Sequence, residues 1–94
     1  KVTKEMIREL YQLIASLKSA EDCEALFDDL CTKNELASLS QRAVVARMLT
    51  QKMVYSDIVS KTGASTATIS RVNRSLAFGK NGYFKLFERL DNKD

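Results

Sequence analysis

One glycine between two short apolar-patterned segments constrains the fold of this chain more than any other feature. Ile58 and Val59 lie in the middle of the segment before Gly63, and Ile69 and Val72 lie in the segment after it. Because Ile69 and Val72 are three residues apart, they share one helix face and can pack back onto the first segment. A sharp turn between two helices needs a residue that tolerates a left-handed backbone. The spacing therefore predicts a helix-turn-helix around Gly63.

The rest of the chain also has a helical pattern. Its 94 residues include no proline and only 3 glycines, which favours an all-α fold. Thr3, Ser19 and Ser65 are suitable N-caps, and Thr32 with Glu35 has the form of a capping box. These signals predict one domain over 1–94 with six helices, of which the fourth and fifth form a helix-turn-helix over about 55–78. The expected helices are one after Thr3, one after Ser19, one from Thr32 to about Gln51, and Tyr55–Thr62, Thr66–Phe78 and Tyr83–Leu90.

Apolar residues at helical spacing predict the buried faces. For the second and third helices the expected inward residues are Ala25, Leu26, Phe27, Leu30, Leu36, Leu39, Ala43, Val45, Ala46, Met48 and Leu49. The stripe Met6–Leu17 on the first helix fits a core within one chain as well as a core between two chains. Between the last two helices, Gly79–Gly82 holds two glycines and one asparagine that can adopt positive φ.

The charge is unevenly distributed along the chain. The net charge is +3, yet residues 61–80 carry four basic residues and no acid, whereas residues 20–35 carry six acids and one lysine. A molecule that is basic in one region and acidic in another can orient itself toward a polyanion. Two ordinary solvated faces would give the same totals, so charge alone does not establish a polyanionic partner.

The outward residues of the helix after Gly63 favour DNA as the partner. The candidate DNA-binding residues there are small or basic: Ser65, Thr66, Ala67, Thr68, Ser70, Arg71 and Arg74. Small hydroxyl side chains allow close approach to base edges in the major groove, and an alanine or threonine methyl can contact a thymine methyl. The two arginines can reach phosphates. A merely solvated helix is the alternative, but serine and threonine are mediocre helix formers and are unexpected there in such number.

Several other classes of protein are disfavoured. The chain has no histidine, Gly-rich phosphate loop, paired-carboxylate motif or nucleophile elbow, so we do not expect an enzyme. Cys23 and Cys31 alone cannot complete a usual zinc site, so we expect no metal or other cofactor and two reduced thiols. No apolar run approaches the length of about 20 residues that a membrane span needs. Together with the resemblance described next, this predicts a cytoplasmic, nucleoid-associated protein of a bacterium.

At these residues the sequence resembles the Trp repressor superfamily, and within it the YerC/YecD group of Gram-positive bacteria. The resemblance is carried by the segments Leu30–Leu36, Ser40–Arg42, Gly63–Leu76 and Gly79–Tyr83. It implies a six-helix bundle that forms an intertwined homodimer through its N-terminal helices, with Met6–Leu17 in the intersubunit core. The two recognition helices would then enter successive major grooves of double-stranded DNA.

Two departures from the family pattern limit what the resemblance implies. Arg42 and Arg71 match the two arginines that hold the tryptophan corepressor, but Val72 replaces the glycine that leaves room for its indole. We therefore expect no tryptophan binding of that kind, and Arg42 and Arg71 would serve a phosphate, another ligand or ion pairs. In the first helix of the motif, Lys61 remains as the expected backbone contact, because Tyr55, Ser56 and Val59 replace long polar residues that contact DNA.

The sequence thus predicts a sequence-specific, DNA-binding transcription regulator, a repressor by resemblance. The alternative is a protein-interaction adaptor derived from a helix-turn-helix, for which the acidic segment 20–35 would serve a basic partner.

Overall fold

The computed structural model describes residues 1–92. Six α-helices follow one another along this part of the chain: α1 Lys4–Ala15, α2 Ala20–Leu30, α3 Lys33–Thr50, α4 Tyr55–Thr62, α5 Thr66–Phe78 and α6 Gly82–Asp91. No strand occurs within residues 1–92. The all-α, six-helix prediction is therefore confirmed, and each helix lies within about two residues of its expected position.

The first compact unit, Lys1–Leu36, is organised by its helix caps. The Thr3 hydroxyl accepts a hydrogen bond from the Met6 N–H at 3.2 Å. The Thr32 hydroxyl accepts from the Glu35 N–H at 3.1 Å, and the Glu35 carboxylate accepts from the Thr32 N–H at 2.8 Å. Each cap satisfies an N–H group that the first turn of a helix leaves without an intrahelical partner, which explains why the helices begin where they do.

The apolar residues of this unit are poorly covered by the chain itself. No residue of α1 is buried, and Met6 and Tyr11 are 55% and 60% exposed. On α2, Leu26 and Phe27 are half-buried as expected, whereas Ala25 and Leu30 are exposed, contrary to prediction. Periodicity identified the apolar face, but within residues 1–92 this part of it is not covered, and Leu30 stays about half exposed.

The second unit, Ala37–Asp94, described as far as Asn92, contains the buried core. Its buried residues are Val45, Ala46, Ile58, Ala64, Ile69 and Val72. They come from α3, α4, the turn after α4, and α5. These four elements therefore share one apolar centre, and it orients the two helices around Gly63 relative to α3.

Three predicted core positions of this unit are wrong. Leu39 and Ala43 of α3 are exposed, and Val59 of α4 is 36% exposed. On α3 the buried pair is Val45 and Ala46, in the second half of the helix. The neighbouring elements therefore cover only part of the apolar face of α3 and only part of that of α4.

The last helix is attached to α3 through Arg47. The Arg47 guanidinium lies 4.8 Å from the centroid of the Phe87 ring and forms an ion pair with Asp91. Phe87 also stacks on Tyr83, with ring centroids 5.9 Å apart. In the connection before α6, positive φ occurs at Asn81 (65°), one of the three residues there that can adopt it.

Candidate nucleic-acid interface

The turn between α4 and α5 has the geometry that the sequence predicted. Gly63 ends α4 in the left-handed region, with φ 72°, and its N–H donates to the Val59 carbonyl at 2.9 Å. A side chain at this position would be strained, which accounts for the glycine. The next residue, Ala64, is buried, and the turn is therefore anchored in the core.

The start of α5 is held by two hydroxyl groups. The Ser65 hydroxyl accepts from the Thr68 N–H at 3.1 Å and donates to the Thr68 hydroxyl, also at 3.1 Å. Ser65 is therefore engaged as the N-cap within the chain, and Thr68 is half-buried beside it. Of the candidate DNA contacts, these two also form the cap at which α5 begins.

The outward face of α5 keeps its small and basic character in three dimensions. Thr66, Ala67, Ser70, Arg71 and Arg74 are all exposed. Positions 67, 71 and 74 are spaced four and three apart and lie along one side of the helix, with 66 and 70 beside them. The face therefore presents hydroxyl and methyl groups near the start of α5 and guanidinium groups one to two turns later.

The buried face of α5 sets this orientation. Ile69 and Val72 are 0% and 2% exposed, and Leu76 packs against the same core. Burial at positions 69, 72 and 76 turns the opposite side of α5 toward solvent. The core thus determines which residues α5 can offer to a partner.

The electrostatics of α5 favour an anionic partner. The first turns of α1, α2, α3 and α4 each carry at least one acidic side chain, whereas the first turns of α5 and α6 carry none. The positive end of the α5 dipole is therefore not neutralised by a carboxylate of its own helix. Lys61 lies exposed in the last turn of α4 and adds a positive charge to the same motif.

The two candidate ligand arginines have different surroundings. Arg42 of α3 is half-buried, and its guanidinium donates to the Ser38 hydroxyl at 3.3 Å. Arg71 is exposed and lines a shallow groove of about 380 Å³ with Arg74, Ser75 and Phe78. The side chain of Val72 is buried in the core, at the position where the family pattern would have a glycine.

Three residues of this region were missed by sequence reasoning. Ala64 is buried in the turn, Phe78 is 85% exposed at the end of α5, and Gln41 of α3 donates a hydrogen bond to the Thr62 carbonyl. The position of Ala64 directly after Gly63 could have indicated a small buried turn residue. The partner of Gln41 is 21 residues away, and no local pattern signals such a pair.

Residues 1–92 contain neither a metal-binding cluster nor a helix suited to a membrane. This part of the chain holds no group of three or more Cys, Asp or Glu side chains arranged to bind a metal ion. None of its helices is long and apolar enough to span a bilayer.

Comparison with known proteins agrees with this geometry. Residues 5–91 match the model of the family described as Trp repressor protein. The chain is similar to the uncharacterized protein YerC of Bacillus subtilis (strain 168), with 51% identity over 82 residues, 87% of this chain and 79% of that protein.

Two solved structures are similar over nearly the whole chain. One is a TrpR-like protein from Eubacterium eligens ATCC 27750, with 52% identity and a TM-score of 0.88 over 98% of this chain and 94% of that one. The other is a candidate Trp repressor from Staphylococcus aureus, with 45% identity and a TM-score of 0.90 over 97% and 91% of the two chains.

Proposed function

The chain belongs to the Trp repressor protein family, as its resemblance predicted, and from this premise we propose that it is a homodimeric, sequence-specific DNA-binding transcription regulator. It acts as a repressor in the bacterial cytoplasm, associated with the nucleoid, and has no catalytic role. The observation that carries the proposal is the exposed, acid-free face of α5, which lies opposite the buried Ile69 and Val72.

The residues of this face divide into those that read bases and those that bind phosphates. Thr66, Ala67 and Ser70 lie near the start of α5, the part of a recognition helix that meets base edges. Their hydroxyl and methyl groups suit hydrogen bonds to bases and contact with thymine methyls. Arg71 and Arg74, together with Lys61 of α4, bind phosphates and position the helix. Ser65 and Thr68 contribute through the cap that they form and through the N–H groups at the start of α5.

A homodimer is proposed because the apolar stripe of α1 is left largely uncovered by residues 1–92. Met6, Tyr11 and Leu13 are each about half exposed or more. A contiguous apolar surface of this kind marks an interaction site in most folded proteins. Two copies joined there would present two recognition helices to one duplex, which matches a two-fold-symmetric operator.

Duplex binding at several salt concentrations tests the proposal. The wild-type chain should bind generic duplex DNA with an affinity that falls steeply as salt rises, because phosphate contacts release counterions. The double variant Arg71→Ala, Arg74→Ala should bind at least several-fold more weakly, with a salt slope smaller by about 0.9 for each lost phosphate contact. Arg89→Ala is the matched control, since Arg89 is an exposed arginine in the last turn of α6.

The same titration separates a regulator from an interaction adaptor. An adaptor would bind duplex DNA weakly at every salt concentration and would not respond to loss of Arg71 and Arg74. Unchanged affinity in the double variant, or equal loss in the Arg89→Ala control, would contradict the assignment of α5 as the DNA-binding helix.

A further inference from the structure

Gln41 ties α3 to the end of the first helix of the helix-turn-helix. Its side-chain Nε2 donates to the Thr62 carbonyl at 3.1 Å, and this bond is partly buried. The Thr62 carbonyl is one of the last four of α4, which the helix itself leaves without an N–H partner. The amide of Gln41 therefore caps α4 from a neighbouring element.

Thr62 also forms hydrogen bonds with α4 and with the turn that follows it. Its hydroxyl donates to the Ile58 carbonyl at 2.7 Å and accepts from the Ala64 N–H at 3.1 Å. Ala64 is immediately followed by Ser65, the N-cap of α5. Hydrogen bonds thus link α3 through the end of α4 to Ala64, which lies two residues before α5.

We propose that Gln41 is a positioning residue for DNA recognition, holding the turn so that α5 has one fixed orientation relative to α3. The inference rests on the proposed function, because it concerns how α5 reads DNA. Hydrogen bonds to base edges require well-defined distances and angles, whereas phosphate contacts by flexible arginines tolerate a displaced helix. Loss of the Gln41 amide should therefore reduce discrimination between DNA sequences more than it reduces general affinity.

Two substitutions remove the donor and keep the approximate size of the side chain. Gln41→Met leaves an apolar side chain, and Gln41→Glu leaves a carboxylate that cannot donate to a carbonyl when ionised. Gln51→Met is the matched control, because Gln51 is an exposed glutamine that directly follows α3. The probes are a duplex selected by the wild-type protein from a random library and a scrambled duplex of the same composition.

The measured quantity is the ratio of the two dissociation constants, scrambled over selected, at a temperature at which every variant is folded. Both Gln41 variants should lower this ratio on the order of tenfold, the scale of one good base contact, while the affinity for the scrambled duplex stays within about twofold. The control should keep the wild-type ratio. A second readout is hydrogen exchange of the Ala64 amide, which should be faster in both Gln41 variants.

A purely stabilising role would give a different result. A variant that is merely less stable keeps the wild-type ratio wherever it is folded, so an unchanged ratio would overturn the inference. Unchanged exchange at Ala64 would overturn it as well. If the wild-type chain bound neither duplex, the proposed function would fail, and Ala64 exchange would still decide whether Gln41 holds the turn.

Discussion

Arg71 and Val72 are consecutive residues of α5 with opposite surroundings: Arg71 is exposed, whereas Val72 is 2% exposed in the core. Ile69, one turn earlier on the same face, is fully buried with it. The side chain of Val72 therefore fills the protein interior at the position where the tryptophan-binding pattern has a glycine. A buried valine cannot move aside for an indole without opening the core around Ile69.

We accordingly predict that L-tryptophan does not bind the wild-type protein in the family manner. Isothermal titration at millimolar ligand should show no saturable heat, because the volume needed for the indole is occupied by Val72. A clear binding isotherm, lost on substitution of Arg42 and Arg71, would show that the pocket forms despite the valine.

The burial of Val72 also predicts its contribution to stability. Val72→Ala should lower the free energy of unfolding by about 1–3 kcal/mol, because it removes two buried methyl groups and leaves a cavity. Val54→Ala is the control, since Val54 is exposed at the N-cap of α4 and makes no side-chain capping bond. It should change stability by less than about 0.5 kcal/mol in urea denaturation. Equal losses at the two positions would contradict the core assignment.

Features encoded by neighbouring residues were predictable from the sequence. The capping box of Thr32 and Glu35, the cap at Ser65 and the left-handed turn at Gly63 each depend on residues at most four apart. Such signals need no knowledge of the remaining fold. They placed the helices and, through them, the outward face of α5.

Features that depend on coverage by distant parts of the fold were not predictable. Leu39 and Val59 belong to apolar patterns, yet both are exposed, because periodicity gives the direction of a face and not the extent of its neighbour. The bond from Gln41 to Thr62 joins residues 21 apart, so it required the packed arrangement of α3 and α4. For the same reason, the contact of Arg47 with Phe87 could not be expected from the spacing of charges.

The three glycines should respond differently to alanine. At Gly63 an added Cβ meets no atom within 4 Å, but φ is +72°, so Gly63→Ala should cost about 1–2 kcal/mol of stability through backbone strain. At Gly79 the Cβ would overlap the Ser75 carbonyl, and Gly79→Ala should cost about 1–3 kcal/mol.

Gly82 is the internal control for these two substitutions. It begins α6, its Cβ would lie in open space, and its φ is not positive. Gly82→Ala should therefore raise stability by about 0.5 kcal/mol, because alanine loses less backbone entropy on folding. Thermal and urea unfolding would rank the stabilities of the three variants, and a destabilised Gly82→Ala variant would contradict the expected ranking.

Arg47 should matter more to the attachment of α6 than its position near the surface suggests. It combines a cation–π contact with Phe87 and an ion pair with Asp91. Arg47→Ala should cost about 1–2 kcal/mol, the sum of two interactions that are each worth on the order of 1 kcal/mol at partly exposed sites. Hydrogen exchange in α6 should accelerate, whereas Arg89→Ala should leave it nearly unchanged. Equal protection of α6 in both variants would show that Phe87 and Tyr83 hold the helix without Arg47.

The exposed apolar stripe of α1 predicts that the protein is a dimer in solution. Sedimentation of the wild-type protein at tens of micromolar should give twice the chain mass of 10.6 kDa, because a second copy covers the stripe. Leu13→Asp places a charge in that contact and should reduce the mass to that of one chain. Gln12→Asp is the matched control: Gln12 lies on the polar side of the same helix, so the dimer should persist. A wild-type monomer at this concentration would contradict the homodimer, and dissociation by both substitutions would show that the contact is not confined to the apolar stripe.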